Sequence, residues 1–182
     1  TLLSSNITPW GNGATSGGTL LEMTRVDLST GPQTISDNGT YYVSGEYTNQ
    51  LVIAGSPIVI LRNVDIKSTS SAIKIESGSP VIVLEGTNRL ESTSESEGSA
   101  LCPKEGTTVT LRGEGSLEAQ GGYCCAGIGG GHSTSGNIKI ESGNITATGG
   151  NRGAGIGSGS DSSCGTITVS GGEVTATGGS DA

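Results

Sequence analysis

Aromatic and charged residues are both scarce in this sequence. Aromatic residues make up 3% of its 182 residues, with no Phe and a single Trp, which excludes a core filled by aromatic rings. Charged residues make up only 14%, which argues against a highly charged disordered chain despite the 33 glycines. Any core must therefore be narrow and built from Ile, Val, Leu and Ala.

Basic residues and long apolar runs are also lacking. Nine Lys and Arg residues stand against 17 Asp and Glu residues, and the resulting net charge of −8 has the wrong sign for binding a phosphate backbone. The longest apolar runs, at 57–61 and 80–84, are far shorter than the roughly 18 residues needed to cross a bilayer. We therefore expect neither nucleic-acid binding nor membrane insertion.

What the sequence does contain is an internal repeat. The pentapeptide TATGG ends both segment 137–150 and segment 166–179, and the apolar residues of these two segments align at an offset of 29 residues. Segment 109–122 aligns with 137–150 at offsets of 28 or 29, and segment 81–93 aligns with 109–122 at an offset of 27. A fixed period of this length is typical of stacked repeats that share one continuous core.

Within each repeat, apolar and polar residues alternate over short runs bounded by Gly, Ser and Asn, as in half-buried strands. Helical periodicity is absent. The sequence therefore predicts an all-β parallel β-solenoid of about five to six turns, each of 22 to 29 residues, over 34–182, with 1–33 as an N-terminal arm or cap. An antiparallel β-sandwich is the alternative, but sandwiches lack a common period.

The segments GTYYVSGEYTNQLVIAG (39–55) and SPIVILRNVDIKSTSSAIKIESGSPVIVLEGTNRLES (56–92) resemble the carbohydrate-binding right-handed β-helix family of bacterial extracellular proteins, which is pectate-lyase-like in fold. This resemblance extends over about 34–179. It implies a right-handed β-helix and a non-catalytic extracellular module, with polysaccharide binding and calcium sites in some members. The GAGIG and TATGG repeats resemble those of large surface adhesins.

A catalytic site is not expected. The five Asp residues are never adjacent in the sequence, so no paired carboxylates for general acid and base catalysis are evident. His132 stands in the segment GGGHSTSG without a recognisable partner, and a lone His in such a loop is usually solvated. We therefore predict that the protein is not an enzyme and requires no cofactor.

One acidic segment, ESTSESEG, is a candidate calcium site through Glu91, Glu95 and Glu97. Calcium takes six to eight oxygen ligands, and carboxylates are suitable ligands if they converge. A charged, solvated loop is the alternative interpretation, since spacing alone does not show convergence.

The four cysteines are candidates for disulfides: Cys102, Cys124, Cys125 and Cys164. We expect Cys102 in the inward slot held by Ile128 one repeat later, and adjacent turns lie close enough for disulfide geometry. If all four pair, Cys102 and Cys164 each bond to one member of the vicinal pair, which would indicate an oxidising, extracellular setting. Free core thiols are the alternative. Three sequons, at Asn6, Asn38 and Asn144, are candidate glycosylation sites.

Two functions remain open at this point. Residues 166–182 supply only part of a 29-residue turn and no cap follows, so we expect that the arm containing Trp10, or another subunit, completes this end. The first hypothesis is accordingly a structural or adhesion module that self-associates head to tail into a surface fibre. The alternative is a polysaccharide-binding module, calcium-dependent or not, although the tyrosines at 41, 42, 47 and 123 are not periodic.

Overall fold

The computed structural model describes residues 23–95 and 98–182, and these residues form 17 β-strands and no helix. The strands are β1 (Met23–Val26), β2 (Gln33–Ile35), β3 (Thr40–Tyr47), β4 (Leu51–Ala54), β5 (Ile58–Ser68), β6 (Ile73–Ser77), β7 (Val81–Glu85), β8 (Thr87–Ser92), β9 (Leu101–Pro103), β10 (Thr108–Gly113), β11 (Ser116–Gln120), β12 (Ile128–Gly129), β13 (Asn137–Ile140), β14 (Asn144–Thr148), β15 (Ile156–Gly157), β16 (Ile167–Val169) and β17 (Glu173–Thr177).

The strands form two parallel sheets. In the larger sheet the order is β16-β13-β10-β7-β5-β8-β11-β14-β17, and β3 pairs with both β5 and β1. In the smaller sheet the order is β15-β12-β9-β6-β4-β2. These pairings confirm the prediction of an all-β protein built from parallel strands. No helix long and apolar enough to span a membrane occurs in the part of the chain that the structure describes.

The larger sheet has two arms because the long strand β5 has two neighbours on one side. Its first half pairs with β7 and its second half with β8. Asn63 lies between the two halves with a positive φ of 52°, and its Oδ1 accepts a hydrogen bond of 3.0 Å from the Thr87 amide. In the next repeat Gly86, with a φ of 65°, lies between β7 and β8. The strands from β7 to β15 form three repeats, each of which contributes one strand to each arm and one to the smaller sheet, and β16 and β17 then extend the two arms.

The register confirms one predicted offset and corrects another. Ile138 pairs with Ile167 and Ala147 with Ala176, as the offset of 29 predicts. One repeat earlier, however, Leu111 pairs with Ile82, so the predicted offset of 27 is wrong and the true offset is 29. The apolar pattern does not reveal this two-residue slip, because side chains alternate with a period of two and the apolar residues keep the same face.

In the true register, Asn88 pairs with Leu117 and therefore occupies the inward core position that Leu117 occupies in the next repeat. Its side chain is fully buried, yet its hydrogen bonds are satisfied. The Oδ1 atom accepts from the Val64 amide at 3.1 Å, and Nδ2 donates to the carbonyls of Glu85 and Ser116, each at 3.1 Å. A buried amide with these partners avoids the desolvation penalty of an unpaired polar group.

The core consists of aliphatic residues contributed by both sheets, which confirms the composition-based prediction. The largest fully buried side chains are Leu28, Leu51, Ile53, Leu61, Ile66, Ile73, Ile75, Ile82, Leu84, Leu90, Leu101 and Leu111. Two tyrosines, Tyr41 and Tyr47, pack against this core and remain half-buried. Each buried Leu or Ile contributes about 1.5 to 3 kcal/mol to stability through burial. The stacked aliphatic side chains of the core are therefore the main source of stability.

The parallel pairing already begins at β1, whose residues pair with the start of β3. β1 therefore lies in the segment 1–33 that the sequence assigns to an arm or cap. The division of the chain at residue 34 stays a prediction, and most of the proposed arm, residues 1–22, lies outside the described residues.

Candidate functional site

Polar side chains cover the outer surface of one arm of the larger sheet, formed by the second half of β5 with β8, β11, β14 and β17. We call this surface the polar face. Its two outward columns follow the strand register: Glu46, Asp65, Arg89, Glu118, Thr146 and Thr175, and beside them Lys67, Glu91, Gln120, Thr148 and Thr177. Inward residues between them, such as Leu90 and Ala119, are buried, so the alternation of a β-strand separates the polar face from the core.

Arg89 is the centre of an ion-pair network on this face. Its Nη2 lies 2.6 Å from Glu91 Oε2, Nη1 lies 3.8 Å from Asp65 Oδ1, and Nε lies 3.8 Å from Glu118 Oε1. Lys67 Nζ contacts the other Glu91 oxygen, Oε1, at 3.1 Å. The carboxylate of Glu91 therefore lies between two cations.

Glu91 is also the least exposed member of the network, with 14% of its side chain accessible. Partial burial raises the pKa of its carboxyl group, but the close contacts with the Lys67 and Arg89 cations outweigh this effect, and the pKa lies below its usual value. Glu91 is accordingly ionised at neutral pH and holds the Lys67 and Arg89 side chains in place.

A groove lies at the β3 end of the polar face. We call it the charged groove, and it is lined by Leu28, Ser29, Glu46, Tyr47, Thr48, Asn49, Asp65, Lys67 and Arg89. Two of its side chains are fixed by the backbone: the Tyr47 hydroxyl donates to the Ser44 carbonyl at 2.7 Å, and Asn49 Nδ2 donates to the Leu28 carbonyl at 2.7 Å. The groove is therefore shaped before any ligand arrives.

A smaller depression follows on the same arm, and its lining includes Thr87, Ser116, Glu118, Asn144 and Thr146. Glu118 reaches back to Arg89, so the depression and the charged groove adjoin. Adjacent rungs of a sheet lie about 4.8 Å apart, and the two together form a continuous polar track across several strands.

The charged groove brings outward carboxylates and cations together with an amide and the half-buried ring of Tyr47, which pairs with the buried Ile66 and packs on the end of the core. A ring provides an apolar surface for packing, and the polar groups can donate and accept hydrogen bonds. The Asn49 Oδ1 atom has no hydrogen-bond partner among the described residues and is available as an acceptor. Such a mixture suits a ligand that has both hydroxyl groups and apolar ring faces.

The structure does not bring the three carboxylates predicted to bind calcium together among the described residues. Glu91 points to Lys67 and Arg89, Glu95 is exposed on the segment after β8, and Glu97 lies outside the described residues. Over 23–95 and 98–182, no group of three or more His, Cys, Asp or Glu side chains could hold a metal ion.

All four cysteines are free thiols in this structure, so the disulfide prediction finds no support. The predicted slot of Cys102 is wrong, because Leu101 and not Cys102 pairs with Ile128. Since successive side chains of a strand point to opposite faces, Cys102 lies on the other face of β9 from Leu101 and is half-buried. Burial raises the pKa of its thiol. Cys124 and Cys125 are buried just before β12, and Cys164 is half-buried.

The remaining predicted residues lie apart from the charged groove. Asn38 is exposed and accepts a hydrogen bond from the Ser56 amide at 2.7 Å, while Asn144 lines the depression. Asn6 and Trp10 lie outside the described residues. His132 is exposed on the loop that follows β12.

Sequence reasoning missed Asp65, Lys67 and Arg89. The true register provides the signal that could have found them, since it aligns Asp65, Arg89 and Glu118 in one column of alternating charge. The predicted offset of 27 instead places Glu118 beside Glu91, which would bring like charges together. Charge complementarity between rungs therefore distinguishes two registers that the apolar pattern does not.

Comparison with known proteins gives two matches. A family model described as "Carbohydrate-binding domain-containing protein" matches residues 30–154, and a model of a β-helix repeat matches residues 167–182. No curated protein and no solved structure matches the chain.

Proposed function

The chain belongs to the family of carbohydrate-binding domain-containing proteins, and on this basis we propose that it is a polysaccharide-binding module whose binding site is the charged groove. The match over 30–154 is the observation that carries the proposal. It covers seven of the nine residues that line the groove, all except Leu28 and Ser29, as well as the neighbouring depression.

The groove supports this function through its chemistry. Sugar rings have apolar faces that pack on an aromatic ring, and hydroxyl groups that exchange hydrogen bonds with carboxylates and amides. Tyr47 and Asn49 supply these two kinds of contact, and their hydrogen bonds to the backbone hold them in place. A preorganised site loses less conformational entropy when its ligand binds.

We further propose that the stacked strands form a right-handed, pectate-lyase-like β-solenoid of about five to six turns, and that the module is non-catalytic and works outside the cell. The parallel ladders and the β-helix repeat match at 167–182 support the solenoid. The description of the family as a binding domain supports the non-catalytic role, and polysaccharides outside the cell are the expected ligands.

A glycan array followed by affinity measurements tests the proposal. We expect the protein to bind one class of polysaccharide, and we expect Tyr47→Ala to weaken binding of the best ligand about tenfold or more, since aromatic anchors dominate binding energy. The affinity is measured by titration calorimetry, and a thermal melt of each variant verifies folding.

Tyr41→Ala is the matched control. Tyr41 is a half-buried tyrosine of the same strand, β3, and packs against the core like Tyr47, but it pairs with Val59 on the other arm. We expect this variant to bind as tightly as the wild type. Equal losses in both variants, or no binding to any glycan, would contradict the proposed site.

Calcium dependence and head-to-tail stacking stay predictions. Comparing glycan affinity in calcium and in a chelator checks the first. For the second, β16 and β17 are the outer strands of the two arms, and Ile167 and Val169 are 42% and 52% exposed. Neither of the two family matches supports fibre formation. Sedimentation velocity would reveal large assemblies if they form.

A further inference from the structure

The arm of the larger sheet that lies opposite the polar face has a mainly apolar outer surface where β1, β3, β5 and β7 pair. Its outward residues follow the register in two columns: Met23, Thr40, Ile58 and Val81, and beside them Arg25, Tyr42, Ile60 and Val83. Six of these form what we call the apolar face: Met23, Tyr42, Ile58, Ile60, Val81 and Val83. Met23 and Ile58 are 44% and 37% exposed, and the other four are half-buried. Apolar side chains of this arm therefore meet solvent as well as the core.

The apolar face explains the two longest apolar runs of the sequence. A strand with one solvated face alternates apolar and polar residues, whereas 58–61 in β5 and 81–84 in β7 are apolar at every position. Uninterrupted runs of this kind are typical of parallel strands that are covered on both faces. The core covers the inner face of both strands, so the sequence indicates a cover for the outer face as well.

A second copy of the chain is a poor cover for the apolar face. The face extends over four strands about 4.8 Å apart and over two columns, which amounts to a few hundred Å², whereas a stable dimer buries about 800 Å² on each partner. Arg25 and Arg112 are exposed at the two ends of the column of Tyr42, Ile60 and Val83. Two-fold packing of two such columns would bring Arg25 of one copy beside Arg112 of the other, which places like charges together.

The N-terminal segment, residues 1–22, is a better match in chemistry. It lies outside the described residues, but it joins the fold at Met23, which is itself a member of the apolar face. No charged side chain occurs in 1–21, and the apolar residues there include Leu2, Leu3, Ile7 and Trp10. A segment tethered beside its binding surface also has a high effective concentration there.

The segment is long enough to cover the face. Three strand spacings, about 14 Å in all, separate β1 from β7. The 13 residues from Trp10 to Met23 span at most about 45 Å when fully extended. Trp10 can therefore reach every strand of the apolar face, and its ring has a large apolar area to bury.

We propose that the apolar face is the docking surface for the chain's own N-terminal segment, with Trp10 as the anchor. This gives the segment a different binding surface from the end at β16 and β17 that the sequence suggests. The apolar face and the charged groove lie on different arms, so the inference is independent of the proposed polysaccharide-binding function. Docking removes from solvent an apolar patch that would otherwise promote association.

Trp10 is the only tryptophan of the chain, so its fluorescence reports on the segment directly. In the full wild-type chain we expect emission at shorter wavelength and weaker acrylamide quenching than in the same chain unfolded in urea. Val83→Glu places a carboxylate in the middle of the apolar face and should weaken docking about tenfold or more. Emission and quenching in this variant then move towards the values of the unfolded chain.

Val52→Glu is the matched control. Val52 is a half-buried, outward valine of β4 in the smaller sheet, and it pairs with Lys74 as Val83 pairs with Arg112. Thermal melts verify that both variants fold, and Trp10 should respond to Val83→Glu alone. The proposal is overturned if Trp10 emission is unchanged in both variants, changes equally in both, or is as exposed in the wild type as in urea.

A photo-cross-link identifies the occupant of the face without relying on a folded Val83→Glu variant. The photoreactive residue p-benzoylphenylalanine replaces Tyr42, and a mixture of unlabelled and isotope-labelled full chains is irradiated, digested and analysed by mass spectrometry. We expect cross-links from position 42 to residues 1–22 of the same chain. Cross-links mainly between labelled and unlabelled chains would assign the face to a second copy and overturn the proposal, as would the absence of any cross-link to 1–22.

Discussion

At the scale of single residues, Glu91 shows how the polar face is held together. Its carboxylate contacts Arg89 at 2.6 Å and Lys67 at 3.1 Å, and its side chain is mostly buried. The strand places it there because Glu91 follows the buried Leu90 and therefore points outward, beside Lys67 in the neighbouring strand β5. One carboxylate thus fixes the geometry of both cations of the groove.

We expect Glu91→Gln to reduce the free energy of unfolding by about 1 to 2 kcal/mol at pH 7, because it removes a charge-assisted contact with two partly exposed cations. The pKa of Glu91 is lower in the folded protein than its usual value. Its contribution is therefore present above the unfolded-state pKa of about 4.3 and is lost as the pH falls through the folded-state value. Urea unfolding at pH 7 and pH 3 measures both effects.

The exposed Glu105 provides the control for this variant. Glu105→Gln makes the same chemical change away from the network and should alter stability by less than about 0.5 kcal/mol. If Glu91→Gln destabilises the protein equally at pH 7 and pH 3, the ion pairs are not the cause.

At the scale of strands and turns, the repeated TATGG places glycines where neighbouring repeats approach closely. A Cβ atom on Gly150 would overlap the carbonyl oxygen of Gly122, and one on Gly179 would overlap the carbonyl oxygen of Gly150. The obstruction comes from backbone atoms, so a side-chain rotation does not relieve it. The second glycine of the motif is therefore required for stacking.

We expect Gly150→Ala to destabilise the protein by about 2 to 3 kcal/mol, since the backbone of one repeat must move away from the next. Thermal or urea unfolding measures the loss. Gly178→Ala is the control, because a Cβ at this position would approach the exposed Ala182 side chain at 3.1 Å and no carbonyl oxygen closer than 3.8 Å. That variant should change stability by less than about 1 kcal/mol, and a similar loss in both would argue against backbone overlap.

The sequence predicts strands and their faces well, because alternation and the 29-residue offset report directly on burial. The apolar pattern alone does not determine the register at β7 and β8, since a slip of two residues preserves the pattern. Asn88 contributes to this ambiguity, because a polar residue occupies a core slot that the pattern reserves for Leu or Ile. Its three hydrogen bonds explain why the fold accepts it, and they involve residues distant in sequence.

The candidate site is harder to predict from the sequence than the strands are. It depends on Asp65, Lys67 and Arg89, which belong to two strands and meet only in the true register. The prediction of Glu91 found one member of the network but assigned it to calcium, because sequence spacing does not show that two cations face it. At family level the interpretation is confirmed, since the carbohydrate-binding β-helix resemblance and the family match agree.

At the scale of the whole molecule, each repeat contacts mainly the repeats before and after it. Strand pairing joins β9 to β12 and β12 to β15, with no pairing of β12 to more distant strands among the described residues. In such stacked structures, stability is a sum of repeat and interface contributions. Damage to one repeat should therefore spread to its neighbours before it reaches the rest of the molecule.

Ile128→Ala tests this view. Ile128 is fully buried between Leu101 and Ile156 in the smaller sheet, so the cavity should cost about 2 to 4 kcal/mol. Hydrogen exchange measured by mass spectrometry should show faster exchange in β9, β12 and β15, with little change in β3 and β5.

Ile167→Ala removes the same side chain from β16, where it is 42% exposed, and should cost less than about 1 kcal/mol with only local changes in exchange. Uniformly faster exchange from β1 to β17 in Ile128→Ala would instead indicate that all repeats unfold as one cooperative unit. In that case the charged groove, on β3, β5 and β8, would lose protection together with β12, and its stability would depend on every repeat rather than on those that adjoin it.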